Sequence, residues 1–172
     1  MPDIRSQMQN RGYRESTPQQ QNNQNQNRGN YQQDRPQYRL PEDYLKGGYF
    51  DEKANLKERY IAKNGDSDAI AKQLGSERPA MTNHQLRRFY GHVRAAENRL
   101  KMTGNWPAVY VDLKKLEPFV SEAKGKGKIP DLFYTFMIRN LAVVKTKEDF
   151  MNGFLEHFQA VVAFFTYHYP KK

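Results

Sequence analysis

The stretch from Thr82 to Met102 most constrains the fold, because its apolar residues recur at the spacing of one helical face. Thr82 and Gln85, three residues apart, are the pair expected of a capping box at a helix start. The pattern therefore predicts one long amphipathic helix that buries its apolar stripe in a core. The stripe consists of Leu86, Phe89, Tyr90, Val93 and Leu100.

The remaining surface of this helix is basic, with Glu97 as its one acid. Guanidinium groups on a helix whose opposite side is buried are suited to binding a polyanion. The alternative is that this is an ordinary solvated face. The pattern of this helix alone favours that alternative. The bases are Arg87, Arg88, Arg94, Arg99 and Lys101.

Other helical patterns flank the long helix, and we find no strand-like alternation of period two. Asn105 is expected to cap a helix that Pro118 breaks or kinks, and Thr146 with Asp149 to cap the last helix. The sequence thus predicts an all-α fold, a compact bundle of five or six helices in one domain over residues 49–172. The predicted helical segments besides 82–102 are 51–63, 68–74, the segment after Asn105 with a continuation over 119–123, 130–144, and the segment after Thr146.

Residues 1–48 are predicted to form a separate disordered, Gln/Asn-rich tail and hinge. Sixteen of the first forty residues are Gln or Asn, and so polar a segment cannot bury enough apolar area to fold. Arg11–Arg14 and Arg28–Tyr31 resemble the Arg-Gly-aromatic pieces of RNA-associated tails, although a soluble spacer is the alternative. Residues 41–50 are expected to be a hinge or a docking strip that lies along the domain surface.

The positive charge is concentrated in the middle of the chain. Residues 82–139 carry +6 of the formal net charge of +9. Within this window Lys124–Lys128 alternates Lys and Gly, which predicts a mobile exposed loop able to approach a phosphate closely, or equally a flexible connector. This distribution favours nucleic acid over a membrane as partner, since no apolar helix face is left over once the core is built. With no signal peptide and no cysteine, the expected compartment is the cytoplasm.

The sequence carries no pattern typical of a cofactor, metal or catalytic site. P-loop, dinucleotide-binding, nucleophile-elbow and zincin motifs are absent from the sequence, and the carboxylates are scattered singly. His84 and His92 are eight residues apart, too far to chelate one ion. His157 and His168 are eleven apart, and each histidine is expected at the surface or at a helix end. We therefore expect no metal and no cofactor, and rank catalysis below binding.

Three segments together resemble one known family. The opening Thr82–Tyr90, the segment Leu113–Pro118 and the closing Phe154–Phe164 are similar to the small subunit of type III-A (Csm) CRISPR effector complexes. The resemblance covers about residues 60–168, in the same order and spacing. It implies a compact helical subunit without enzymatic activity in an antiviral RNA-guided complex.

The resemblance also implies partners. In this family several copies line up along the guide RNA and its paired target RNA, and they touch the duplex through its backbone. They contact each other, the repeated backbone subunits and the large polymerase-like subunit. By position, the RNA-contacting candidates it implies are Arg87, Arg88, Lys114, Lys115 and the bases of Lys124–Lys128.

We therefore predict a non-catalytic RNA-binding subunit that grips phosphates and ribose without reading bases. One alternative is a helical adaptor whose basic face meets an acidic protein partner, and another is a small nuclease or hydrolase. The predicted RNA-binding residues are Arg87, Arg88, Arg94, Lys114, Lys115, Lys124, Lys126, Lys128 and Arg139.

Overall fold

The computed structural model describes residues 39–170. Within this range the chain forms six α-helices and no strand, which confirms the predicted all-α bundle. A 3-10 turn, Glu58–Tyr60, precedes the helices, and a π-helical segment, Asp149–Phe154, leads into the last one. The predicted disorder of the tail and its Arg-Gly-aromatic pieces fall on residues 1–38, outside the described part. The helices are α1 (Asp66–Leu74), α2 (Asn83–Thr103), α3 (Trp106–Lys114), α4 (Leu116–Gly125), α5 (Asp131–Val143) and α6 (Leu155–His168).

One hydrophobic core joins all six helices, and phenylalanines form its centre. The rings of Phe136 in α5 and Phe158 in α6 lie 5.3 Å apart, centroid to centroid. Phe89 of α2 lies 4.9 Å from Phe133 of α5, so the predicted apolar stripe of α2 is packed as expected. Burying one such ring contributes about 1.5–3 kcal/mol relative to leaving it exposed.

The ends of α2 follow the local sequence signals closely. The Thr82 hydroxyl oxygen accepts from the Gln85 amide at 3.2 Å, and the Gln85 side chain accepts from the Thr82 amide at 2.9 Å, which confirms the capping box. Gly104 ends α2 in the left-handed region at φ 64°. The Asn105 side chain then accepts from the Ala108 amide at 3.1 Å and caps α3.

The helix predicted over residues 51–63 is wrong. Asp51 does not cap a helix; its Oδ1 accepts from the Lys53 and Asn55 amides at 2.8 and 2.9 Å and closes a turn. Such local side-chain bonds compete with helix formation, and only Glu58–Tyr60 is helical here. Ile61, predicted to point inward, is 44% exposed.

Two further expectations around α4 need correction. The chain breaks between α3 and α4 at Lys115, so Pro118 lies in the first turn of α4, where its missing N–H costs nothing. α4 then continues to Gly125, and the first part of Lys124–Lys128 is helix and not loop. The turn itself is made at Gly127, with φ 62°.

Residues 40–49, which we call the strap, pack into the core of the bundle. Leu40, Tyr44, Leu45 and Tyr49 are all at most 8% exposed. The segment does dock on the bundle, but the expectation that it lies along the domain surface is wrong, because Tyr44, Leu45 and Tyr49 are buried in the core. The packed region thus reaches residue 40, inside the segment that the sequence assigned to the tail and hinge.

A directional chain of hydrogen bonds holds the strap to α5 and α6. The Tyr49 hydroxyl donates to Asn140 Oδ1 at 2.9 Å, and Asn140 Nδ2 donates to the Tyr44 oxygen at 2.8 Å. The Tyr44 hydroxyl lies 2.7 Å from His157 Nε2, and His157 Nδ1 lies 2.9 Å from the Tyr60 carbonyl oxygen. Because a carbonyl only accepts, Nδ1 carries the hydrogen and Nε2 accepts from Tyr44. We call these five residues the buried polar chain.

The position of His157 contradicts the expectation of a surface or helix-end residue, since it is 0% exposed. Burial lowers the pKa of His157 to about 4, and the hydrogen bond to the Tyr60 carbonyl only partly opposes this. The neutral imidazole is also the form that the buried polar chain requires, because Nε2 must accept.

Lowering the pH from about 6.5 to about 5 is expected to decrease the free energy of unfolding by up to about 1.4 kcal/mol per pH unit through His157. The unfolded chain takes up a proton near the ordinary imidazole pKa of 6.5, whereas the native state resists protonation down to about pH 4. Above pH 6.5 both forms are neutral and this contribution to stability is fully present. Urea unfolding followed by circular dichroism at several pH values measures the slope.

The matched variants are His157→Gln and His84→Gln, since His84 is exposed on α2. We expect the first to be less stable and to lose most of the slope, and the second to retain it. In the intact protein, one imidazole NMR signal should stay in its neutral position down to pH 5. An unchanged slope in His157→Gln, or four histidine signals that all titrate near 6.5, contradicts the assignment.

Candidate nucleic-acid interface

The polar surface of α2 is divided into two flanks. Successive residues of an α-helix point about 100° apart, so Arg87 and Arg88 face different directions. Arg88, His92 and Arg99, spaced four and seven residues, lie on one flank. The other flank carries bases seven residues apart, which return to nearly the same direction. These are Arg87, Arg94 and Lys101.

The first flank faces α3 and α4. The Arg88 guanidinium lies 5.3 Å from the centroid of the Phe119 ring, and the His92 ring lies 5.0 Å from it. Further along, Arg99 pairs with Asp112 of α3. The flank thus contacts α4 through Phe119 and α3 through Asp112. Its side chains are held between helices and not by loops.

The start of this flank meets the end of α4. Gln85 Nε2 donates to the Lys128 carbonyl at 2.8 Å, which ties the Lys-Gly turn to α2. Lys126 pairs with Glu122, and this hydrogen bond, together with the nearby charges of Lys128 and Arg88, lowers the pKa of the Glu122 carboxyl. Three cations therefore surround one carboxylate and leave an excess of two positive charges. We call Arg88, Lys126 and Lys128 the α2–α4 patch.

The second flank is partly neutralised. Arg94 and Lys101 both pair with Glu97, whose side chain is only 3% exposed. Lys101 Nζ lies 2.5 Å from Glu97 Oε1. Arg87 is exposed and has no ion pair among residues 39–170, so its charge is available to solvent on this side.

The adjacent lysines 114 and 115 have different environments. Lys114 donates to the Leu141 carbonyl in the last turn of α5 at 2.7 Å and pairs with Glu117 at 2.8 Å. Its ammonium also lies 5.6 Å from the centroid of the Tyr110 ring. Lys115, by contrast, has a side chain that is 70% exposed and pairs with Asp112 at 3.0 Å. Lys114 is committed to packing α3 against α5, whereas Lys115 faces solvent.

Two other predicted RNA-binding residues are engaged elsewhere. Lys124 pairs with Asp131 at the start of α5. Arg139 is half-buried and donates to the Pro41 carbonyl of the strap at 3.2 Å. The structure therefore does not bring all nine predicted residues to one surface. It groups Arg88, Lys126 and Lys128, and it places Arg87 on the neighbouring flank.

Groups suited to acid–base chemistry are present but enclosed. Ser67 Oγ lies 2.8 Å from His157 Nδ1, yet both residues are 0% exposed, so no substrate reaches them. His168 Nε2 lies 2.5 Å from Asp68 Oδ1 at the end of α6, the helix-end position expected for it. Across residues 39–170, no cluster of three metal-ligating side chains is found, and no helix is long and apolar enough to cross a membrane.

Three residues that the structure places beside the α2–α4 patch are not among the predicted RNA-binding residues. They are His92, Arg99 and Phe119, which line a groove between α2 and the following two helices. The spacing of Arg88, His92 and Arg99 along one helical flank is the signal that could have identified the two α2 residues. The proximity of Phe119 depends on how α4 packs and has no comparable local signal.

One protein-family model matches the chain, over residues 61–171, and its description is Csm2 Type III-A. The matched region contains all six helices and the whole α2–α4 patch, and it excludes the strap. No match was found among curated proteins or among solved structures.

Replacing Lys114 by Met is expected to lower the free energy of unfolding by about 1 kcal/mol, because the Leu141 carbonyl loses a charged hydrogen-bond donor. The matched change Lys115→Met should alter stability by less than about 0.5 kcal/mol, since its ion pair is solvent-exposed. Urea denaturation of both variants measures the difference. Equal stabilities would show that the contacts of Lys114 do not support the fold.

Proposed function

Because this chain belongs to the Csm2 Type III-A family, we propose that it is a non-catalytic small subunit of a type III-A CRISPR interference complex. In this role it binds the paired guide and target RNA through the sugar–phosphate backbone. Base pairing between the two RNAs supplies the sequence information, and the protein responds to charge and helical shape. The complex acts in the cytoplasm.

The α2–α4 patch is the observation that supports RNA binding most directly. Its three cations outnumber the one carboxylate between them, and Arg88 is held on α2 against the Phe119 ring. Each phosphate that such a surface neutralises releases condensed counterions, which makes the affinity steeply dependent on salt. Arg87 adds an exposed guanidinium on the neighbouring flank.

The side chains of the patch fit binding without sequence preference. Lys and Arg donate to phosphate oxygens irrespective of sequence, and the deep, narrow major groove of an A-form RNA duplex keeps such side chains away from the base edges. The Gln85 amide is committed within the protein, because it donates to the Lys128 carbonyl and accepts from the Thr82 amide. A subunit repeated along an arbitrary guide must avoid base-specific contacts, and this arrangement does so.

Exposed apolar side chains support the second part of the proposal, that the subunit packs against neighbouring proteins. Met102 at the end of α2 is 86% exposed, and Val111 of α3 is 53% exposed. Tyr167 of α6 is 67% exposed. We assign these surfaces to further copies of this chain, to the repeated backbone subunits and to the large polymerase-like subunit. They are equally consistent with the adaptor alternative, because an adaptor would bind proteins through the same side chains.

The double variant Arg88→Glu with Lys126→Glu is expected to weaken binding of a perfectly paired RNA duplex at least tenfold. It should also flatten the dependence of log affinity on log salt concentration by about two, one for each lost phosphate contact. Fluorescence anisotropy across a salt series measures both quantities. Circular dichroism should show an unchanged fold, since both side chains are exposed.

The matched control is the double variant Lys145→Glu with Lys147→Glu, because both are exposed lysines outside the patch and the change in net charge is the same. An equal loss of affinity in this control would mean that only the total charge matters.

Native purification with and without nuclease distinguishes the RNA-binding subunit from the protein adaptor. Co-purification of guide RNA supports the proposal. If the protein binds no RNA and its protein partners remain bound after complete RNA digestion, the adaptor is favoured.

A further inference from the structure

A groove of about 440 Å³ runs between α2 and the junction of α3 with α4. It lies beside the α2–α4 patch, and the proposed backbone contacts do not use it. Its volume falls in the range typical of sites that take one small ligand, about 300–1,000 Å³. Its principal lining residues are His92, Ala95, Arg99, Lys115, Leu116 and Phe119.

Small residues of α2 leave the groove open. Ala95 and Ala96 line it where larger side chains would fill the gap to Leu113 and Leu116. Ala95 is exposed, whereas Ala96, Leu113 and Leu116 are buried and form an apolar floor. The groove therefore offers an apolar floor against which a flat group can lie.

Phe119 provides an aromatic wall whose orientation is restrained on several sides. The Phe89 ring lies 5.1 Å from it and the His92 ring 5.0 Å, both measured between centroids. The Arg88 guanidinium lies 5.3 Å from the same centroid. Aromatic rings and guanidinium planes are the groups on which unpaired bases stack in RNA-binding proteins.

The rim of the groove carries an excess of positive charge. Arg99 and Lys115 both pair with Asp112, so one acid serves two bases. His92 lines the groove beside the aromatic wall, and the Arg88 guanidinium lies over the same Phe119 ring. An apolar protein side chain would leave the excess positive charge of the rim uncompensated, and a bare anion would leave the apolar floor unused. A ligand with a flat ring and a phosphate satisfies both parts.

We propose that this groove binds a single unstacked nucleotide of the bound RNA. The base lies against Phe119 and His92, and its phosphate contacts Arg99 and Lys115. Stacking uses the face of the base and not its edges, so the site accepts all four bases and remains compatible with an arbitrary guide sequence. The inference rests on the proposed RNA-binding function and adds a second kind of contact to it.

The test compares two RNA duplexes that differ by one unpaired nucleotide bulged from one strand. The full chain is expected to bind the bulged duplex about tenfold more tightly, in line with the contribution of one base stacked on an aromatic side chain. Each of the four bases at the bulge should give this preference within about threefold. An abasic bulge, which bends the duplex but offers no base, should abolish it.

The variant Ala95→Trp fills the groove from an exposed position on α2 and is expected to lose the preference for the bulge while binding the perfect duplex as before. The matched control is Ala163→Trp, an exposed alanine of α6, which should keep the preference. Equal binding of both duplexes by the unmodified protein overturns the groove inference and leaves the backbone contacts standing. Failure to bind either duplex overturns both proposals.

Three other outcomes also count against the groove. The first is a preference for the bulged duplex that persists in Ala95→Trp, and the second is a preference that persists when the bulge is abasic. The third is a loss of affinity in Ala95→Trp that is equal for the bulged and the perfect duplex. If Ala95→Trp changes only the self-association of the protein, measured by sedimentation, the groove accommodates a protein side chain and the nucleotide assignment is wrong.

Discussion

The buried polar chain that runs from Tyr49 to Tyr60 is the interaction on which the rest of the structure depends. Its members come from the strap, from the 3-10 turn Glu58–Tyr60, from α5 and from α6, and each hydrogen bond fixes the direction of the next. A buried network of this kind stabilises one arrangement only when every member is satisfied, because a single unpaired group costs about 1–3 kcal/mol. It therefore sets how α5 and α6 lie, and α2 packs against both through Phe89 and Tyr90.

The formal charge of the chain overstates the charge that a polyanion would meet. Glu97 neutralises much of one flank of α2, and Asp112, Glu117 and Asp131 each pair with bases that the sequence marked as RNA-binding or basic. The pairs whose two partners are both exposed contribute little to stability, but all of these pairs orient the cations and would compete with a polyanion for them. The α2–α4 patch differs because its three cations share only Glu122.

Backbone contacts and base stacking place different demands on a surface. A phosphate needs a cation at the protein surface, whereas a base needs a flat aromatic or guanidinium face on which to stack. One flank of α2 offers both, since Arg88 is close to Glu122 and also lies over the Phe119 ring. The division of α2 into two flanks, about 100° apart at Arg87 and Arg88, makes this combination possible on one side of the helix.

Local features of the structure were accessible from the sequence. The capping box at Thr82 and the Asn105 cap occur where they were predicted, because each depends on residues within a few positions in the chain. A local signal was misleading at Asp51, which was predicted to cap a helix. Its side chain instead accepts hydrogen bonds from two nearby amides and closes a turn.

By itself, then, the sequence determined the helical class, the position and caps of α2, and the concentration of bases between residues 82 and 139. Only the tertiary structure decided which of those bases act together, because carboxylates distant in the chain neutralise some and helix packing directs others toward α5 or the strap. It also decided that His157 is buried and that Phe119 meets Arg88. Burial and pairing between distant segments depend on how the helices pack, and helical spacing within one segment carries no information about that packing.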